Sequence, residues 1–228
     1  MYTKRFTGAL LIVTTFFFTT ILSNSYCQEL YLGYNASYYY RGFKQLSLEK
    51  NQFNSKVSEP DHPFQYSNIM HGPELGFGGM FENFSFSMSW RMRKLKAKGS
   101  HTYLDGSMEF KELKLTHNVF VLGILLGDKN GRFRIGYEVE LGQFKRRDRL
   151  SPDEEWEKLR NGTFTGAINL VSMVRIGGSE EGGGLILKPY WRMSGHVYKH
   201  DYTKFSVNEF YNLQSFGVSA LISINLNK

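Results

Sequence analysis

The residues of this chain that could do chemistry are charged side chains set at intervals of two. Arg91 and Arg93, Arg134, Glu138 and Glu140, Arg175 and Arg192 all alternate with apolar residues. Guanidinium and carboxylate groups placed this way would meet as charge-assisted pairs if their face were enclosed, because ions in a narrow interior must pair. They are expected to form a lumen charge network, with Glu74 as a further partner. A second set carries one sign only. Lys94, Lys96 and Lys98 follow the first arginines, and Lys145, Arg146, Arg147 and Arg149 form a later run. Such groups bind phosphate through charge-assisted hydrogen bonds. They are candidate lipopolysaccharide contacts, set against the plainer reading of solvated loop charges.

Other reactive types are less organised. His196, His200 and Asp201 suggest a metal cluster, but four residues of extended chain span ~13 Å, too far to share one ion without a turn. Ser194 or Ser206 beside these histidines suggests a nucleophile, which needs a base in hydrogen-bond reach and an orienting acid that the spacing does not supply. No phosphate-binding loop, zinc spacing or nucleic-acid motif is present. No catalytic residue, cofactor or metal site is therefore assigned. A non-enzymatic role is expected, with no nucleic-acid partner.

The elements that must position the charges are strands. Phe84, Phe86, Met88, Trp90 and Met92 alternate with Ser85, Ser87, Ser89, Arg91 and Arg93, and a period of two means one apolar and one polar face. The same pattern runs through Arg132–Gly142, Phe216–Leu226 and Leu30–Tyr40. Weaker versions cover Pro73–Phe81, Leu113–Leu126, 164–176 and 185–197. Met108 and Phe110 fall out of phase with Leu113, which predicts a bulge near Lys111. Pro189 lacks a ladder donor and predicts an irregularity. Ser151-Pro152-Asp153-Glu154 reads as a capping box opening a short helix that carries Trp156.

The connections alternate between long (41–72, 98–107, 145–161, 199–211) and short (82–83, 127–131, 177–184). Residues 1–27 read as a cleaved signal peptide: Lys4 and Arg5 precede an apolar run too short to span a bilayer as a helix. Residues 28–228 then form one domain. The fold expected is all-β, an eight-stranded antiparallel up-and-down transmembrane barrel with short periplasmic turns and longer extracellular loops. Small residues on the polar face suit a crowded lumen. This pattern, above all in Phe84–Arg93, Arg132–Phe144 and Phe216–Leu226, resembles the small outer-membrane β-barrel domain proteins of the OmpA/OmpX-type and PorT-like architecture. The resemblance implies location in the outer membrane of a Gram-negative cell. It also implies a structural or interaction role, with lipid, lipopolysaccharide or a partner protein met through loops 41–72 and 145–161. A lipid A-modifying barrel enzyme (deacylase or acyltransferase type) and a soluble exported lipocalin-like barrel with an apolar ligand are the alternatives.

Overall fold

The computed structural model describes residues 27–40, 43–81, 83–127, 132–158, 163–177, 183–193, 197–198 and 214–226. The targeting segment up to Tyr26, and Ser194, His196, His200, Asp201 and Ser206, lie outside the described residues.

Eight long strands close into one antiparallel barrel. They are β1 (Cys27–Tyr38), β3 (Ile69–Met80), β4 (Phe84–Thr102), β5 (Met108–Gly127), β6 (Phe133–Arg149), β8 (Thr163–Ile176), β9 (Gly184–Met193) and β11 (Ser215–Asn225). Each pairs with its neighbours in sequence, and β1 closes the cylinder by pairing Glu29 with Asn225 through to Tyr38 with Phe216. Three short strands join the rims: β2 (His62–Tyr66) on β4, β7 (Glu157–Lys158) on β6, and β10 (Val197–Tyr198) on β8. One helix, α1 (Lys44–Asn54), lies in the first long connection.

The barrel is taller on one side. β4, β5 and β6 have 19, 20 and 17 residues, whereas β1, β9 and β11 have 12, 10 and 11. The extra residues project from the long-loop end as a three-stranded sheet. The first half of segment 98–107, expected as a loop, is therefore strand. It turns only at Tyr103–Ser107, where Gly106 takes φ +81° and the Asp105 carboxylate accepts the Ser107 N–H at 2.9 Å. The start of segment 145–161 likewise continues β6, as far as Arg149.

No bulge occurs near Lys111: β4 and β5 hold one register from Phe84↔Leu126 to Thr102↔Met108. The broken phase has another cause. Along the lower barrel the apolar residues point outward (Phe84, Trp90, Phe120, Leu122, Ile135, Val139 and Leu141), and the polar ones point in. Along the projecting sheet the apolar residues point inward (Leu95, Ala97, Leu113, Leu115 and Phe144), and cations take the outside. The three strands invert their apolar face at one height.

The inward apolar residues meet the first connection. Phe43 and α1 fold back over the barrel mouth, and Leu46, Phe53, Phe64, Met70 and Tyr39 complete a buried cluster with them. Leu46 and Phe53 lie seven residues apart on one face of the helix, the spacing that buries a stripe. Segment 41–72, expected as an exposed contact loop, is thus in large part a cap. Pro189 brings the expected irregularity, without a bulge. It keeps β9 in register with Val218 of β11, while on the β8 side the ladder skips from Tyr190 to Leu187 without a shift. The missing N–H falls on that interrupted side and needs no bulge. Ser151–Glu154 is a turn rather than a helix, and the Arg149 guanidinium donates to the Pro152 carbonyl at 3.0 Å.

Candidate functional site

Two charged constellations stand out, one inside the barrel and one outside.

Inside, the period of two turns Glu74, Arg91, Arg93, Glu138, Glu140, Lys188 and Arg192 into the lumen, where all are buried. Glu140 is the centre. It meets Arg93 Nη2 at 2.6 Å, Arg192 Nε at 3.0 Å and Arg91 Nη1 at 3.2 Å. Arg91 reaches further, to Glu138 at 2.7 Å and Glu74 at 2.8 Å, and Lys188 meets Glu138 at 2.5 Å. Ser219 and Ser89 donate to Glu74 at 2.6 and 3.1 Å. Arg93 Nε donates to Asn35 at 2.7 Å. The Tyr190 ring lies under both arginines, at 5.2 and 5.5 Å, and its hydroxyl accepts from Arg93 at 3.1 Å. Four cations face three carboxylates, and the electron-rich face and oxygen of Tyr190 take up part of the excess charge.

Room for that ring comes from glycine. A Cβ on Gly217 would lie 2.2 Å from Tyr190 Cζ. Beneath the network, Tyr31, Leu125, Val171, Met173, Ile186 and Leu221 form an apolar layer with the Tyr190 ring. The lumen is therefore filled in three tiers: apolar packing, ion network and capped mouth.

Two residues expected in the network sit elsewhere. Arg175 is at the short-turn end, where it forks onto Glu29 with both contacts at 2.6 Å. Arg134, at the same end, donates to the Phe81 carbonyl at 3.1 Å. Alternation gives the face of a side chain but not its height in the barrel. Lys188 and Tyr190 are the network members that alternation alone did not single out, and Glu29 is the unforeseen partner at the short-turn end.

The basic runs divide by the same rule. Lys94, Lys96 and Lys98 of β4 and Lys145 and Arg147 of β6 point outward. Arg146, between the last two, points inward and is buried, so it is no surface contact. It forks onto Glu49 of α1 at 2.6 and 2.9 Å and onto Asp148 at 2.5 Å. Arg149 is engaged by Glu112 at 2.6 Å and stacks on Trp156 at 4.9 Å. Trp156 packs on the sheet's outer face, where Lys114 also approaches it at 5.9 Å.

Glu49 anchors the cap, since Lys111 meets it too, at 2.7 Å. Burial alone would raise its pKa, but hydrogen bonds and charge from Arg146 and Lys111 hold it below the ordinary 4.5. Because the folded value is the lower one, the anchor is fully present above pH 4.5 and is lost as pH falls through the depressed value. Glu49→Gln should speed amide exchange in α1 about tenfold, from roughly 1–2 kcal/mol of lost charged hydrogen bonding. It should also abolish the acid step expected of wild-type α1 below pH 4.5. Hydrogen–deuterium exchange across pH 3–7 measures both effects.

No family model and no curated protein matches this chain. The fold itself defines the class: an eight-stranded antiparallel β-barrel with one small capping helix.

Proposed function

We propose that this chain is a non-enzymatic outer-membrane β-barrel protein with a structural or interaction role, akin to the OmpA/OmpX-type and PorT-like architecture. Its outer face meets lipopolysaccharide or a protein partner. The observation that carries the reading is the inversion of the apolar face. Outward positions of β6 are apolar from Phe133 through Leu141, then become Gln143, Lys145 and Arg147. Over the same height the inward positions change from ions to apolar packing. A strand exposes leucine and tryptophan outward only where its surroundings are apolar, and buries them where its surroundings are water. The run from Phe133 to Leu141, ~26 Å along the strand, is close to the roughly 9–11 residues with which a tilted barrel strand crosses a bilayer. A groove of about 970 Å³ on that wall, lined by Phe84, Leu122, Ile124, Ile135 and Tyr137, suits an acyl chain.

A lumen filled by a buried ion network and capped by α1 supports a non-conducting barrel. Fractionation of cells, followed by gel mobility of unheated and boiled samples, tests the reading. The expected result is recovery in the outer membrane with a mobility that changes on boiling. A soluble protein whose mobility does not change would overturn it.

A further inference from the structure

We propose that Lys96, Lys114 and Arg147, with Lys94 and Lys145 beside them, form a binding site for the phosphorylated head group of a lipid A-class glycolipid. The inference rests on the membrane reading above and narrows its lipid contact to one patch.

Strand register builds the patch. Lys96 pairs directly with Lys114, which pairs with Arg147, so three cations stand side by side across β4, β5 and β6. One step nearer the apolar wall, Lys94 and Lys145 flank Thr116. With strands ~4.8 Å apart and outward residues ~6.6 Å apart, five cations fall within ~10 by 7 Å. Like charges directly opposite one another destabilise a sheet. Among the described residues none of the five has a carboxylate within ion-pair distance. Glu112, the acid two residues from Lys114 on that face, is engaged by Arg149. Lys114 lies above the apolar wall, six residues beyond Phe120. Lys96 and Arg147 stand directly opposite its ammonium on either side, and Lys94 lies beside them. A row assembled at such a cost is relieved by an anion, and phosphate accepts from several cations at once.

The height of the patch selects a lipid. Lys94 is the next outward residue after Met92, and Lys145 is the second after Leu141. The cations therefore begin ~7–13 Å beyond the apolar wall along the strand, on the same three strands. A ligand that meets both needs acyl chains and phosphates on one molecule. Trp156 bounds the patch on the loop side.

The test uses the full chain, folded in neutral detergent, and bisphosphorylated lipid A as probe. Lys96→Gln, Lys114→Gln and Arg147→Gln are combined. The control combines Lys50→Gln, Lys56→Gln and Arg132→Gln, which removes equal charge elsewhere. About a factor of five per surface cation predicts weakening by roughly 100-fold for the first variant and about twofold or less for the control. Wild type should bind dephosphorylated lipid A as weakly as the triple variant binds the bisphosphorylated form. Inorganic phosphate and phosphatidylglycerol micelles should compete poorly. Without lipid A, the triple variant should resist heat at least as well as wild type, because repulsion has been removed; loss of heat resistance would instead give the row a structural role and overturn the proposal. Equal binding by variant and wild type, equal loss in the control, or full competition by inorganic phosphate would also overturn it. A heat-modifiable outer-membrane protein with unchanged lipid A affinity would sink this site alone and leave the membrane reading standing.

Discussion

Glu140→Gln should be among the most damaging single changes in this protein, lowering stability by about 3–5 kcal/mol. The substitution keeps the side chain's shape and removes its charge. Glu140 is 1 % exposed and meets Arg91, Arg93 and Arg192. Without it, four buried cations would face only Glu74 and Glu138, and water could not reach them. The partners left behind set the cost, more than the contacts removed. Removing a cation as well should recover part of the loss: Glu140→Gln with Arg93→Met should be less destabilised than the two single effects added, by ~1–3 kcal/mol. Unfolding in urea from detergent micelles, followed by tryptophan fluorescence, gives all four corners of the cycle. Glu157→Gln, on the exposed rim, should stay within about 0.5 kcal/mol of wild type. If Glu140→Gln did the same, the seven charges would not act as one unit.

What the sequence disclosed about this barrel was parity. A period of two assigned Arg91, Arg93, Glu138, Glu140 and Arg192 to one face, and the structure brings them together. Height was not legible, because the tilt and stagger that align strands are fixed only on closure. Arg134 and Arg175 have the right parity but lie at the short-turn end, beside Phe81 and Glu29. Tyr190 was hidden for a related reason, since its role depends on Gly217 of the paired strand β11 and on Asn35 of β1, which comes beside it only when β1 and β11 close the cylinder. The run Lys145-Arg146-Arg147 looked uniform, yet strand parity sends Arg146 inward to Glu49 and its neighbours outward. The cap escaped notice because α1 has no side-chain N-cap bond, and only Leu46 and Phe53 mark its buried face. The inversion of faces misled most. Leu113 and Leu115 share the inward face of β5 with Val119, so their apolar side meets the cap, whereas the apolar wall of the same strand, Phe120 to Leu126, lies on the other parity.

That inversion leads to the second large effect, whose sign separates the two environments the barrel could occupy. Val139 lies within the outward apolar run of β6, one outward position beyond its middle residue Tyr137, and is 42 % exposed. It pairs with Leu122 on one side and Ile168 on the other. If this wall faces hydrocarbon, Val139→Arg near the midplane should cost about 2–4 kcal/mol on folding into phospholipid vesicles, while Gln143→Arg, above the run, should cost about 0–1 kcal/mol. If the wall instead faced water, an exposed valine replaced by arginine would change stability by no more than about 0.5 kcal/mol, and the two variants would behave alike. The lumen cannot produce such a difference, because both side chains point away from it. A depth-dependent penalty read from refolding yields in vesicles would therefore report on the medium outside the barrel. The step in cost between the two positions would place the edge of the apolar medium near Leu141, short of Lys145 and Arg147.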